Sequence, residues 1–319
     1  MEGPLFKYRL VLKVAIIDLG TNTFNLLIRD LETDAIVHNS KLAVKLGEGG
    51  ITQNRIAEKA FLRGVNAMEE LVALCRKYEI QHIFATATSA IRDAKNGPHF
   101  CETVFDKTGV RIEVIDGLKE AELILIGVQN AMSLPNHPYL VIDIGGGSTE
   151  FILAEGKETR WMKSYPLGVS RLLEKFQPSD PIQNDEIQEL SAYFDEQLLD
   201  LKEQIEKFKP TMLIGSSGSF DTLADICRFR MGEDSTDLLE PSYLFDLGVY
   251  KWVEKSILES NFEERLAMPG MIAMRADMIV LSALLISHTL KAAGIQSMWL
   301  SKYALKEGVY FNFKANQNA

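Results

Sequence analysis

Between Val14 and Ile28 the chain reads VAIIDLGTNTFNLLI: an apolar run stops at Asp18, turns through Gly20-Thr21-Asn22-Thr23, and becomes apolar again. Short apolar runs bounded by turn residues predict strands, here near residues 14–18, 26–30 and 36–45. A 3.6-residue apolar repeat then predicts a helix over about 58–78. After it come a strand in HIFATAT, a helix-opening turn in SAIRDAKNG, a helix near 99–107, a strand in RIEVI and a helix over about 118–132. The two prolines of SLPNHP (133–138) mark a boundary before the next strand. Beyond it, YLVIDIGGGSTEFILAE repeats the strand, turn and strand of the opening. A polar helix is predicted over about 185–208, then the strand TMLIG, the small-residue turn SSGSFDTLADICR opening a helix, and a largely helical C-terminal third.

The opening pattern recurs at a fixed distance. Ile17-Asp18-Leu19-Gly20 matches Ile142-Asp143-Ile144-Gly145, and Leu26-Leu27-Ile28 matches Phe151-Ile152-Leu153, an offset of 143 − 18 = 125 residues. A repeat that long is no solenoid; it describes two copies of one domain facing each other. At 319 residues the chain is long enough for two such domains.

Composition narrows the chemistry. A formal net charge of −10 argues against a broad nucleic-acid or anionic-membrane surface, while leaving room for a local anion pocket. Three scattered cysteines, Cys75, Cys101 and Cys227, make neither a disulfide framework nor a CxxC site and read as reduced core thiols. The charged N-terminal segment lacks a signal-peptide pattern, and MIAMRADMIVLSALLI carries Arg275 and Asp277 inside an apolar stretch too short to span a bilayer. A cytoplasmic protein is expected. The five histidines are scattered, with no HxxxH or GxSxG, so zinc or serine-histidine chemistry is disfavoured.

Several motifs offer chemistry, each beside a plainer reading. The turn after Asp18 places Gly20, Thr21, Asn22 and Thr23 where backbone N–H groups and hydroxyls suit phosphate oxygens, with Asp18 as a cation ligand; taken alone it is also an ordinary hairpin. The second turn, with Gly145, Gly146, Gly147, Ser148 and Thr149 between Asp143 and Glu150, makes poor strand material unless the backbone takes positive φ or approaches something closely. Two such loops in one chain make a clamp. Gly215, Ser217, Gly218 and Ser219 lie between a strand and a helix, where an anion or an ordinary connection fits equally. Nothing in the chain matches the GxxxxGK[ST] phosphate loop. Ser89 and Arg92 sit at a strand's end, where open α/β sheets bind ligands; Arg92 could fork onto phosphate or pair with Asp93. In DGLKEAELILIGV, Glu120 and Glu122 both head apolar rows, and spacing does not separate a cleft carboxylate from a helix-dipole partner.

Together, IDLGTNTFNLLI, ATATSAIRDAKNG, VIDGLKEAELILIGV, VIDIGGGSTEF, LIGSSGS, MPGMIAMRADMIV and LKEGVYF resemble the exopolyphosphatase/guanosine pentaphosphate phosphohydrolase (Ppx/GppA) family in a short two-domain form, in family order over nearly the whole chain. The resemblance implies an α/β fold of two ribonuclease H-like lobes of the actin/Hsp70/sugar-kinase superfamily with the active site between them. The first lobe would comprise residues 1–132 plus the final helix, about 303–319, and the second residues 133–302. By the same resemblance Glu120 is the base that activates water, and Arg92 would help stabilise charge on the transferred phosphoryl oxygens. The loops of residues 20–23 and 145–149, with Ser89, Gly215, Ser217, Gly218 and Ser219, would hold phosphate, and Asp18, Asp143 and Glu150 would hold Mg2+ or Mn2+. The implied substrate is inorganic polyphosphate or a guanosine polyphosphate such as pppGpp, and the implied assembly a homodimer. No nucleic-acid or membrane partner is expected.

Two positions depart from the family pattern. Asn25 stands where many members carry arginine, and Lys306 replaces another common arginine. Longer relatives continue into additional helical domains, so shorter chains or nucleotides are the expected substrates. A superfamily kinase and a (p)ppGpp-binding sensor are the rival readings; the first would require an acceptor pocket, the second binding without turnover.

Overall fold

A computed structural model describes residues 12–233 and 240–317; most of the charged N-terminal segment therefore lies outside the described residues. The first half runs β1 (Lys13–Leu19), β2 (Thr23–Asp30), β3 (Ile36–Ala43), α1 (Glu58–Lys77), β4 (His82–Ala87), α2 (Ser89–Arg92), α3 (Gly97–Thr108), β5 (Ile112–Val114) and α4 (Gly117–Ala131). The second runs β6 (Pro138–Ile144), β7 (Thr149–Glu155), β8 (Glu158–Tyr165), α5 (Val169–Phe176), α6 (Asn184–Gln197), α7 (Leu199–Phe208), β9 (Leu213–Ser216), α8 (Gly218–Arg230), β10 (Ser242–Leu244), α9 (Leu247–Glu259), α10 (Phe262–Leu266), α11 (Ile279–Ala293), β11 (Met298–Ser301) and α12 (Leu305–Gln317).

Among the described residues, the first half forms a five-stranded sheet ordered β3-β2-β1-β4-β5, and the second a six-stranded sheet ordered β10-β11-β9-β6-β7-β8. Read from the other edge, the second sheet repeats the first as β8-β7-β6-β9-β11 and adds β10 as an antiparallel edge. The 125-residue repeat is thus a repeat of sheet topology. β1 is apolar throughout its centre because both faces are covered. Ala15, Ile17 and Leu19 pack with α1 and α3, while Val14 and Ile16 pack with Tyr310 of α12.

Two helices tie the halves together. α4, from the first half, lays Ala121, Leu123, Ile124, Leu125 and Val128 against Tyr139, Val141, Ile152 and Ile214 of the second sheet. α12, from the chain's end, places Tyr310 on the first sheet, with Phe313 beside Phe84. The α4 and α12 backbones touch: a β-carbon on Gly308 would collide with the Leu123 carbonyl, so only glycine permits this crossing.

Two expectations change. The long helix predicted over 185–208 is divided at Leu198, whose φ of −106° and ψ of 21° leave the helical region. Leu198 is buried with Leu201 and Ile205, so packing overrides a sequence that has no glycine or proline there. The C-terminal third contains β10 and β11, which no alternation announced because each is only three or four residues long. No described helix is long and apolar enough to cross a membrane.

Candidate active site

The turns after β1 and β6 are built alike. Gly20 N–H donates to Thr23 O and Gly145 N–H to Ser148 O, each at 3.0 Å. Neither turn has a glycine at positive φ. The second turn's glycines serve close approach instead. A β-carbon on Gly146 would lie 2.8 Å from Thr21 Cβ, and one on Gly147 would strike Ser89 Oγ, so the second loop is pressed directly onto the first half. At the third turn Ser217 adopts φ 74° and ψ 170°, a region other residues leave to glycine and one that concentrates at functional sites. This conformation lets Ser217 Oγ donate to Asp143 Oδ1 at 2.6 Å while α8 begins.

Between the loops opens a cleft. Of the residues expected at the site, Asp18, Gly20, Thr21, Asn22, Thr23, Ser89, Glu120, Asp143, Gly145, Gly146, Ser148, Ser217 and Gly218 line it. Others stand behind its wall. Gly147 packs between the loops, Thr149 Oγ1 donates to Leu167 O, Ser219 pairs with Ser282, and Gly215 lies under the Phe220 ring. Arg92 does not line the cleft; its Nη1 donates to Glu120 Oε2 at 2.8 Å and its Nε to Asp93 Oδ1 at 3.3 Å.

The geometry of α4 separates Glu120 from Glu122. Asp116 caps the helix, its carboxylate accepting from Lys119 N–H at 2.8 Å. With Ala121, Ile124 and Val128 packed on the second sheet, Glu120 faces the cleft, 7% exposed, and Glu122 lies outward, where it pairs with Lys119. Burial, then the neighbouring Glu150 charge, raises the Glu120 pKa well above the usual carboxylate range, against the opposing pull of Arg92.

The other carboxylates follow the same logic. Burial raises Asp18 to about 6 despite the hydrogen bond from Asn25 Nδ2 at 2.9 Å, and Asp143 adds repulsion. Asp143 is raised by burial although Ser216 and Ser217 both donate to it. Glu150, 1% exposed, is raised by burial and by Asp143, and accepts from Ser164 Oγ at 2.6 Å. No described group of three or more histidine, cysteine, aspartate or glutamate side chains is arranged to ligate a metal by itself. Asp18 and Asp143 nonetheless face one cleft as hard oxygen donors that repel each other. Such a pair suits Mg2+, which is commonly held by one or two carboxylates together with water and substrate phosphate.

Sequence reasoning passed over four charged groups on the same wall: Lys41, Asp221, Arg275 and Lys302. Arg275 had a signal, a charge interrupting the apolar run MIAMRADMIV, of the kind that Asp18 gives in β1. Its guanidinium stands over Gly218, where no β-carbon would fit. Lys41 had none, since it lies on a strand with alternating exposure and reaches the cleft through its pairing with Asn25. Lys306 also lines the cleft; burial would lower its pKa, but Glu307 at 2.8 Å more than offsets this and the ammonium is favoured.

A cleft between two repeated sheets, lined by paired turns, cations and a buried carboxylate, suits a phosphorylated ligand. The model of the Ppx/GppA phosphatase family matches residues 28–316. The chain belongs to that family. It is 39% identical to an exopolyphosphatase from Cytophaga hutchinsonii of known crystal structure, with a TM-score of 0.92 over 95% of this chain and 98% of that one. The Ppx/GppA family member of Aquifex aeolicus, at 24% identity, shares the fold with a TM-score of 0.78 over 97% and 99% of the two chains. Exopolyphosphatase 1 of Mycobacterium leprae is 25% identical over 302 residues, 93% of this chain and 88% of that protein. The chain is accordingly a phosphatase-family hydrolase with the two-lobed actin-like ATPase fold.

Proposed function

We propose that the chain is an exopolyphosphatase that removes the terminal phosphate of inorganic polyphosphate. The observation that carries this reading is the buried Glu120, raised in pKa and oriented by Arg92, facing a cleft whose two ends are phosphate-type turns. In this reading residues 1–132 with the returning α12 act as one lobe and residues 133–302 as the other, in a cytoplasmic homodimer.

The chemistry follows from the residues. Terminal phosphate lies between the turns of residues 20–23 and 145–149, where N–H groups and the hydroxyls of Thr21, Ser89 and Ser148 stabilise its oxygens. Lys41, Arg275 and Lys306 offset the remaining negative charge. Glu120 takes a proton from a water molecule as the water oxygen bonds to the terminal phosphorus in line with the bridging oxygen. The phosphorus-bridging oxygen bond breaks, the shortened chain keeps that oxygen and its electron pair, and orthophosphate leaves. A raised pKa makes Glu120 a stronger base than an ordinary carboxylate, and Arg92 fixes its orientation. Mg2+ or Mn2+, held by Asp18 and Asp143 with Glu150 behind them, would supply charge neutralisation at the phosphate oxygens. Positioning and electrostatics carry the rate, so no covalent nucleophile is required.

The test is orthophosphate release with Mg2+ from short polyphosphate, long polyphosphate, pppGpp and ATP, for the wild type and Glu120→Gln. Release from polyphosphate, reduced about 10²- to 10⁴-fold in the variant with folding intact, is the expected outcome. Greater release from pppGpp than from polyphosphate would make guanosine pentaphosphate hydrolysis the primary activity. A fully active Glu120→Gln protein would remove Glu120 from its role as base.

A further inference from the structure

Arg171, in the first turn of α5, is bound on all sides although it lies outside the cleft wall. Its Nε donates to Gly147 O at 3.1 Å, its Nη1 to Ile51 O at 3.1 Å, and its Nη2 to Asp93 Oδ2 at 3.0 Å. Three acceptors from three segments thus converge on one planar guanidinium whose side chain is 15% exposed. Gly147 belongs to the second phosphate-type turn; Ile51 and Asp93 belong to the first half. Asp93 divides its oxygens between two arginines, Oδ2 facing Arg171 and Oδ1 accepting from Arg92 Nε. Arg92 in turn holds Glu120 through Nη1 at 2.8 Å. The path Gly147, Arg171, Asp93, Arg92, Glu120 is continuous, and each link after the first is charged.

We propose that Arg171 is a positioning residue for phosphate hydrolysis, setting the distance between the second turn and the Glu120 carboxylate through Asp93 and Arg92. The proposal rests on reading Glu120 as the base. The turn holds the phosphate that must be attacked and Glu120 holds the attacking water, yet they belong to different halves of the chain. The backbones of the two halves are already joined, since α4 packs on the second sheet and Ser170 Oγ donates to Asn22 Oδ1 at 2.7 Å; what Arg171 adds is a charged path from the second turn to the Glu120 carboxylate itself. Arg171 grips the loop carbonyl on one side and the arginine that orients the base on the other. An error of about 1 Å between reacting groups costs roughly 100-fold in rate, so a fastening of this kind acts on turnover. Because Arg171 does not reach the cleft, substrate affinity is left nearly unchanged.

Steady-state phosphate release from short polyphosphate with Mg2+ tests this in Arg171→Met, Arg171→Lys, Asp93→Asn and the Arg171→Met/Asp93→Asn double variant. Arg171→Met is expected to lower kcat about 10- to 100-fold with KM changed by less than about threefold. Arg171→Lys recovers part of the loss, since one ammonium cannot match a planar fork on three acceptors. In the double variant the Asp93 change adds less than about a further twofold, because both residues act along one path. Unchanged kcat in Arg171→Met, a loss confined to KM, or fully additive losses would each overturn the proposal. If Arg171→Met fails to fold by circular dichroism, Asp93→Asn and Arg171→Lys decide by the same split between kcat and KM. Wild-type and Glu120→Gln measurements made alongside keep the two readings apart. An active wild type silenced by Glu120→Gln but indifferent to Arg171 overturns only the positioning role, whereas a wild type that releases no phosphate overturns the hydrolase reading.

Discussion

The two halves carry equivalent rows of side chains beside the cleft, and the rows differ in charge: all of the first row lines it, whereas in the second only Asp143 does and Glu150 lies behind it. In the first, Asp18 on β1 faces Asn25 on β2, which faces Lys41 on β3. In the second, Asp143 on β6 faces Glu150 on β7, which faces Ser164 on β8. Asn25 and Glu150 are counterparts at the same 125-residue offset. Asn25 donates to Asp18, so the first row satisfies its carboxylate internally, and the ammonium that favours the charged form is Lys306 on α12. Glu150 has no proton to donate when ionised, so Asp143 draws its hydrogen bonds from Ser216 and Ser217, and the second row keeps two carboxylates beside Glu120. The two halves share a strand order and differ in the charges set on it. The first row thus carries one carboxylate and an amide, and the second two carboxylates.

If that difference in charge acts on catalysis, the largest contrast is in turnover. Asp143→Asn is expected to lower kcat on the order of 100-fold, comparable to losing one major electrostatic contributor, and Asp18→Asn about 10-fold. Phosphate release at saturating Mg2+ checks the ratio, and equal losses would break the comparison. The next effect is on stability. Asn25→Asp makes the first row resemble the second: it removes the donor to Asp18 and sets two carboxylates face to face in a buried position. A loss of about 1–3 kcal/mol is expected in urea unfolding with chelator present, and added Mg2+ should recover part of it.

The smallest effect depends on pH. Asp18 titrates near 6 in the folded protein against an ordinary 3.8, so in that window the folded state holds a proton that the unfolded chain has released. Its contribution to stability is therefore complete below about 4 and is lost as pH rises through about 6. In chelator, the melting temperature of Asp18→Asn relative to the wild type should climb across that interval and level off above it. A flat difference would mean that Asp18 is not held in a charge-unfavourable site.

How legible each feature was depended on its range. The paired turns were visible because each joins two adjacent strands within a dozen residues, and the 125-residue echo raised one weak turn to a clamp. Glu120 was visible as a helix-leading carboxylate but indistinguishable from Glu122 until packing of α4 on the second sheet set which face turned inward. Lys41 gave no local signal, as its place depends on strand register. Arg92 read as either a phosphate fork or a partner of Asp93, and in the fold it pairs with Asp93 and with Glu120.

By itself, the sequence determined the repeated α/β units, the two turns, the carboxylates within them and the family, because these depend on local backbone preference and on patterns that recur along the chain. Tertiary structure alone decided which carboxylate faces the cleft, which cations join it, how Leu198 divides a helix, and how Arg171 links one half's turn to the other half's base. Those outcomes depend on contacts between residues tens to hundreds of positions apart, whose burial and charge exist only once the two sheets have packed around α4 and α12.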